Sequence, residues 1–220
     1  MFNIVETKER ITADNELEAE KVRINMRENR TFFVNLMGSP GAGKTSVLLA
    51  VIKQLKEKYN IAVMEADVDS DEDARTINET GVKVIQLHTA GLCHMDADMT
   101  KRGLDALGID GVDLVFLENI GNLVCPAEFD VGANVNVMIL SAPEGDDKPL
   151  KYPLMFKVSD CLLLNKIDTS EVFGFDPEKA TARATELNEN IEIIEISAIN
   201  DYNIDKFTAW LEGKMQEVTL

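Results

Sequence analysis

Short apolar runs recur along the chain and alternate with stretches that have helical spacing. Most of these runs are apolar at nearly every position, which is typical of strands buried on both faces of a parallel sheet. The alternation predicts an α/β fold with a doubly wound, mostly parallel sheet of about seven strands. The predicted strands are Thr31–Met37, Ile61–Val68, Val82–Thr89, Val112–Asn119, Asn134–Ala142, Asp160–Ile167 and Ile191–Ala198.

Helices are predicted between these strands because apolar residues recur there at about 3.6-residue intervals. The clearest is Ser46–Tyr59. Others are predicted at Asp71–Glu79, Met95–Leu107, Pro177–Asn188 and Asn203–Glu217. Residues 14–30 differ, because they carry mixed charges and few apolar positions, and they predict a charged, solvated helix ahead of the domain. We therefore divide the chain into an N-terminal extension, residues 1–30, and one domain, residues 31–220.

A phosphate-binding motif follows the first predicted strand directly. Residues 38–45 read GSPGAGKT and lead into a predicted helix, which is the context that a P-loop requires. The backbone amides of such a loop bind phosphate oxygens, Lys44 reaches the β- and γ-phosphates, and the Thr45 hydroxyl binds Mg²⁺. The motif predicts a P-loop NTPase fold. The nucleotide-binding residues predicted here are Gly38, Ser39, Pro40, Gly41, Ala42, Gly43, Lys44, Thr45 and Ser46.

A second motif, NKID at residues 165–168, ends the sixth strand and indicates guanine. Asp168 can accept hydrogen bonds from N1–H and the 2-amino group of guanine, whereas adenine would leave it unpaired. Asn165 can reach the base or tie the loop together, and the stem of Lys166 can cover the ring. Ser197 and Ala198, after the last strand, offer an amide to the guanine carbonyl. Together the two motifs predict a GTPase that binds GTP and GDP.

Acidic residues follow two other strands on the same edge of the predicted sheet. Asp67 ends the second strand and Glu118 ends the fourth, where ligand groups of parallel sheets collect. Asp73 and Arg75 are candidates for a mobile switch, although an acidic helix start would explain them equally well. We predict magnesium binding by Thr45, Asp67 and Glu118, and catalytic roles for Lys44, Asp67 and Asp73.

Soft metal ligands also follow strands of this edge. Cys93 and His94 are adjacent after the third strand, and Cys125 follows Glu118 by seven residues. Thiolate and imidazole suit Zn²⁺ or Ni²⁺ rather than Mg²⁺. Three ligands leave one position open, so water or a second subunit would complete the shell. Buried thiols beside a surface imidazole are the alternative. Two further residues, Cys161 and His88, lie within strands and are predicted to be structural.

Charge and composition narrow the function classes. The net charge of −17 repels phosphate backbones, so we expect no nucleic-acid partner. No long uncharged apolar run predicts a membrane span, and the first residues do not read as a signal peptide. Three cysteines, an odd number, fit a reducing compartment better than a disulfide framework. We therefore expect a cytoplasmic protein.

The chain resembles the hydrogenase nickel-incorporation GTPases, the HypB family of the SIMIBI class, from about residue 15 onwards. The matching segments are NLMGSPGAGKT, CHMDADM, DLVFLENIGNLVCPAEFDVG, APEGDDKPLKYPLMF, LLLNKID and IEIIEISA. The most specific part is ENIGNLVCPAEFD. The related urease GTPases share the P-loop and the guanine motif but not this segment.

The resemblance implies a Mg²⁺-dependent GTPase that forms a GTP-promoted homodimer and assists nickel delivery to [NiFe]-hydrogenase. It assigns a Ni²⁺ or Zn²⁺ site at the subunit interface to Cys93, His94 and Cys125. It implies two partners: a small HypA-type accessory protein that binds zinc and nickel, and the hydrogenase large-subunit precursor. Two alternatives remain: a GTPase chaperone for urease or a cobalamin enzyme, and a metal-storing or metal-sensing module with structural GTP.

Overall fold

The computed structural model describes residues 8–219, and it contains the predicted parallel sheet. Seven strands pair in the order β3-β2-β4-β1-β5-β6-β7, and every neighbouring pair is parallel. The sheet and its flanking helices confirm the predicted P-loop NTPase fold. The strands are β1 (Phe32–Gly38), β2 (Ile61–Asp67), β3 (Lys83–His88), β4 (Leu114–Glu118), β5 (Val135–Ser141), β6 (Cys161–Asn165) and β7 (Glu192–Glu195).

Ten α-helices are described, and each helix predicted within the domain is among them with bounds shifted by a few residues. The helices are α1 (Lys8–Glu28), α2 (Lys44–Leu55), α3 (Glu72–Asn78), α4 (Ala97–Leu107), α5 (Cys125–Glu128), α6 (Lys148–Lys151), α7 (Pro153–Lys157), α8 (Ser170–Phe173), α9 (Pro177–Leu187) and α10 (Ile204–Thr219). Helices α5 to α8 were not predicted, since four or five residues are too few to show a 3.6-residue period.

The five inner strands of the sheet are buried on both faces, which explains why they are apolar at nearly every position. One face packs against α2, α3 and α10 through residues such as Leu48, Ile77 and Phe207. The other face packs against α1 and α4 towards β3, and against α7 and α9 towards β7. No helix among residues 8–219 combines the length and the apolar character needed to cross a bilayer.

Helix α1 contains the charged stretch that we expected to be solvated, but one of its faces is buried. Ala19, Val22 and Met26 are each at most 1% exposed, and Val22 and Met26 pack into the core under α4. The mixed charges occupy the outer face only. Residues 1–7 of the predicted extension lie outside the described residues, and the division of the chain at residue 30 stays a prediction.

Asn15 fastens α1 to two distant segments, an arrangement called here the Asn15 bridge. Its Oδ1 accepts a hydrogen bond from the backbone N–H of Ala97 at 2.9 Å. Its Nδ2 donates to the backbone carbonyl of Asp130 at 2.8 Å. Arg23 also pairs with the Asp130 carboxylate. The bridge thus joins α1 to the start of α4 and to the segment after α5, which follow His94 and Cys125 respectively.

Candidate nucleotide and metal site

The phosphate loop turns sharply between β1 and α2. Gly41 and Gly43 have φ values of 76° and 95°, in the region that favours glycine. A Cβ atom at Gly43 would lie 2.5 Å from Nδ2 of Asn165, so the close approach of these loops also requires glycine. Helix α2 begins at Lys44 rather than at Ser46, because the backbone becomes helical directly after Gly43. Its free amide groups can bind an anion.

The guanine motif is hydrogen-bonded to the phosphate loop. The Asn165 amide Nδ2 donates to the carbonyl of Ala42 at 2.9 Å, and its Oδ1 accepts from the backbone N–H of Ala198 at 3.3 Å. The Lys166 ammonium donates to the carbonyl of Gly41 at 2.8 Å. Asn165 therefore ties three loops together, which was one of its two expected roles. Asp168 is exposed on the turn after β6, where its carboxylate is free to meet a base.

Carboxylates converge beside the first turn of α2. The Thr45 hydroxyl donates to Oε1 of Glu118 at 2.8 Å. Oxygen atoms of Glu65, Asp73 and Glu118 all lie within 4.8 Å of one another. The predicted Asp67 stands outside this group, because its Oδ1 accepts hydrogen bonds from the backbone amides of Asp69 and Ser70 in the loop that follows. The structure thus brings Thr45, Asp73 and Glu118 together, whereas the Asp67 carboxylate is hydrogen-bonded to the loop that follows it.

The environment of these carboxyl groups separates their pKa values. Burial raises the pKa of Glu65 to about 8 and the pKa of Glu118 to about 7. For Glu118, the Lys44 charge and the Thr45 hydrogen bond partly oppose that rise. Burial also acts to raise the pKa of Asp67, but hydrogen bonds from backbone amides outweigh it and leave the pKa below its usual value.

A hard divalent cation fits this group of residues. Oε2 of Glu65 and Oε2 of Glu118 are buried, and neither has a hydrogen-bond partner among the described residues. A buried carboxylate oxygen without a partner is unfavourable, and a bound cation would satisfy it. The donors are all oxygen, which suits Mg²⁺ and not a soft metal.

We expect the free energy of unfolding of the nucleotide-free, EDTA-treated protein to fall as the pH rises from about 5 to about 7. In this window the unfolded chain loses the carboxyl protons, near pKa 4.5, while the folded chain keeps them on Glu65 and Glu118. Each group then lowers stability by about 1.4 kcal/mol per pH unit. Thermal melts at several pH values test this. Glu118→Gln should reduce the slope by about half, because Glu65 still contributes, and an unchanged slope would contradict the assignment.

The predicted soft-metal ligands converge at the same end of the sheet. Ligand atoms of Cys93, His94 and Cys125 all lie within 4.8 Å of one another, and the two Sγ atoms are 2.8 Å apart. The His94 ring stacks on Phe129 with 3.9 Å between centroids. Asn122 Nδ2 donates to the carbonyl of Cys93 at 3.3 Å, which joins the two ligand-bearing segments.

The protonation of these ligands follows from their surroundings. Partial burial lowers the pKa of His94, so its neutral, metal-binding form prevails at neutral pH. The hydrogen bond shared with Cys93 and then burial raise the pKa of the Cys125 thiol. Metal capture therefore has to displace thiol protons.

The other cysteine and the other histidine do not join the group. Cys161 is fully buried in β6, as predicted, and burial holds its pKa well above the usual value. His88 is exposed at the end of β3.

Sequence reasoning missed Glu65. The available signal was a single glutamate inside the apolar strand Ile61–Asp67. Such a residue is expensive to bury without a ligand or a partner, so its position alone marked it as a candidate.

The phosphate loop, the seven-stranded parallel sheet and the tied guanine motif define a P-loop nucleotide-binding protein. Residues 32–195 match the family model "CobW/HypB/UreG, nucleotide-binding domain". The chain belongs to the HypB family of these proteins.

Several relatives and solved structures carry this family assignment. The chain is 43% identical over 194 residues to hydrogenase maturation factor HypB of Escherichia coli K12, covering 88% of this chain and 67% of that protein. It is 34% identical to the probable HypB of Methanocaldococcus jannaschii over 99% of both chains. The crystal structure of Helicobacter pylori HypB in complex with nickel superposes with a TM-score of 0.88 at 32% identity, covering 93% of this chain and 96% of that one.

Proposed function

We propose that this chain is a GTP-hydrolysing metallochaperone that assists nickel delivery to [NiFe]-hydrogenase during maturation. The observation that carries the proposal is the group formed by Cys93, His94 and Cys125, which lies on segments that continue directly from the nucleotide edge of the sheet. The nickel complex of the Helicobacter pylori relative supports the choice of metal. In this proposal residues 31–220 form the GTPase domain and residues 1–30 an extension.

GTP binds with its phosphates in the loop of residues 38–45 and its base against Asp168. The loop amides and Lys44 hold the phosphate oxygens and stabilise the charge that develops on them during hydrolysis. Thr45, Glu118 and Asp73 would hold Mg²⁺, which would supply further positive charge at the phosphates. Asp67, whose carboxylate is fixed by loop amides, holds the start of the switch segment in place.

The nucleotide state reaches the metal ligands through the segment after β4. A Cβ atom at Gly121 would lie 2.9 Å from the ring of Pro40, so this segment packs tightly on the phosphate loop. Cys125 follows four residues later. Ordering of residues 67–75 and 118–121 by the γ-phosphate, and their release after hydrolysis, would therefore move Cys125 relative to Cys93.

A second copy of the chain completes the proposed metal site. Three ligands per chain leave a coordination gap, and a two-fold axis brings two such sets together. GTP then promotes a cytoplasmic homodimer that holds Ni²⁺ or Zn²⁺ at its interface. The proposed partners are a HypA-type accessory protein and the hydrogenase large-subunit precursor, in keeping with the hydrogenase maturation names of the relatives.

Nickel titrations of the protein with GDP and with a non-hydrolysable GTP analogue test this function. A switch can respond to nucleotide only if the two states differ in metal affinity. We expect different nickel affinities and a larger dimer fraction with the GTP analogue. Equal affinities in both states would rule out the coupling, and an absence of GTP turnover would rule out the enzyme.

A comparison of guanine, adenine and xanthine nucleotides tests the guanine site separately. The unaltered protein should prefer GTP over ATP by orders of magnitude, and Asp168→Asn should shift the preference towards xanthine nucleotides because the amide donates to the 2-oxo group. Competition binding against labelled GDP measures both. Asp105→Asn, on an exposed residue of α4 that pairs with Lys101, is the matched control. Equal turnover of ATP and GTP by the unaltered protein would exclude the guanine site.

Urease is the alternative client. Two relatives, from Helicobacter hepaticus and Helicobacter pylori, are named hydrogenase/urease maturation factor HypB and are 36% and 34% identical to this chain. Co-purification with a urease apoprotein and not with a hydrogenase precursor would favour that client.

A further inference from the structure

A buried glutamate on β2 lies outside the residues that the nucleotide motifs assign. Glu65 is only 3% exposed, and its Oε2 atom has no partner among the described residues. A carboxylate in the interior is normally paired, hydrogen-bonded or bound to a metal. The unpartnered oxygen of Glu65 therefore points to a ligand.

The register of the sheet places Glu65 in a polar row across three strands. Glu65 pairs with Gln86 of β3 on one side and with Glu118 of β4 on the other. Paired residues of parallel neighbours project from the same face of a sheet. Gln86 donates through Nε2 to the backbone carbonyl of Glu65 at 3.3 Å. Glu65 is thus aligned beside Glu118, which itself accepts from the Thr45 hydroxyl.

Asp73, at the start of α3, contributes a third carboxylate to the group formed by Glu65 and Glu118. It is exposed in the first turn of the helix, whereas Glu65 and Glu118 are buried. Oxygen ligands about 2.1 Å from Mg²⁺ are separated by up to about 4 Å, close to the 4.8 Å within which these carboxylates gather. Three ionised carboxylates at this spacing would repel one another, and a shared divalent cation would remove that repulsion.

We propose that Glu65 is a further acidic residue of the divalent-cation site and fixes the Mg²⁺ of the nucleotide complex together with Asp73 and Glu118. This inference rests on the proposed function, because it deepens the description of the same site. It assigns a role to a residue that lies outside the P-loop and outside the switch segment.

Mn²⁺ serves as the probe, with its affinity for the GDP-bound full chain measured by electron paramagnetic resonance. Glu65→Gln should weaken Mn²⁺ binding at least about 10-fold. Glu192→Gln, on an exposed glutamate of β7, is the matched control and should leave it unchanged. GDP affinity measured in EDTA should be the same in all three proteins, since the loop and base contacts are intact. Circular dichroism confirms folding.

Glu65→Asp gives a second reading, because it keeps the charge and should bind Mn²⁺ more tightly than Glu65→Gln. Mn²⁺ affinity in Glu65→Gln equal to that of the Glu192→Gln control would overturn the assignment. The measurement uses GDP and requires no hydrolysis. If the protein does not hydrolyse GTP, the Mn²⁺ affinities can therefore still be interpreted. If Glu65→Gln binds Mn²⁺ normally while the unaltered protein hydrolyses GTP, the role of Glu65 is rejected and the proposed function is not.

Discussion

Lys44→Ala is expected to reduce GTP turnover by at least about 10-fold, because the ammonium group faces the charge that develops on the transferred phosphate. Lys44 is only 9% exposed, and its charge partly opposes the rise in the pKa of Glu118, so the ammonium group lies close to the predicted magnesium ligands. Steady-state phosphate release at saturating GTP and Mg²⁺ measures the loss.

Lys53→Ala provides the control, because Lys53 lies on the same helix but is exposed and pairs with Asp201. That variant should hydrolyse GTP at the unaltered rate. Turnover by Lys44→Ala equal to that of Lys53→Ala would show that the loop of residues 38–45 is not the catalytic site. Circular dichroism of both variants establishes that each is folded.

Removal of one thiol should abolish metal binding and spare nucleotide binding. Cys125→Ala leaves two of the three ligands, so nickel or zinc affinity should collapse, while phosphate and base contacts are untouched. Nickel titration beside GDP titration of the same sample measures both properties. For the unaltered protein, metal affinity should rise with pH across the cysteine range, because thiol protons must leave.

Cys161→Ala is the matched control for this experiment. Its thiol is fully buried in β6 and distant from the metal group, so only a modest packing cost is expected. Metal binding in that variant should equal that of the unaltered protein. Full metal binding by a Cys93→Ala, Cys125→Ala double variant would eliminate the site.

The parts of the molecule that sequence reasoning identified are those encoded within a few consecutive residues. The spacing of a few consecutive residues is enough to recognise GSPGAGKT and NKID. The local composition is enough to recognise the apolar strands. The convergence of Cys93 with Cys125 was predicted from strand ends, because parallel strands bring their carboxyl ends to one edge. The site assignments themselves remain predictions.

The features that sequence reasoning missed depend on contacts between distant residues. Glu65 gains its significance from register with Glu118 and Gln86, and no local pattern reveals that register. The buried face of α1 was overlooked because charged residues surround Val22 and Met26 in the sequence. These two side chains are buried by packing with α4, which lies far away along the chain. The hydrogen bonds from loop amides to Oδ1 of Asp67 were likewise not apparent in the sequence, and the magnesium role of Asp67 stays a prediction.

Helix α1 leaves the ribosome before the two segments that it binds. The Asn15 bridge spans 82 residues to Ala97 and 115 residues to Asp130. Most of the stability of a helix in a protein comes from packing of its apolar face, and that face of α1 stays uncovered until both segments have emerged. Closing such long loops costs little more entropy than closing shorter ones, and the delay is therefore one of synthesis time. The predicted soft-metal ligands are thus held in place only after the chain has been synthesised past Asp130, more than half of its 220 residues.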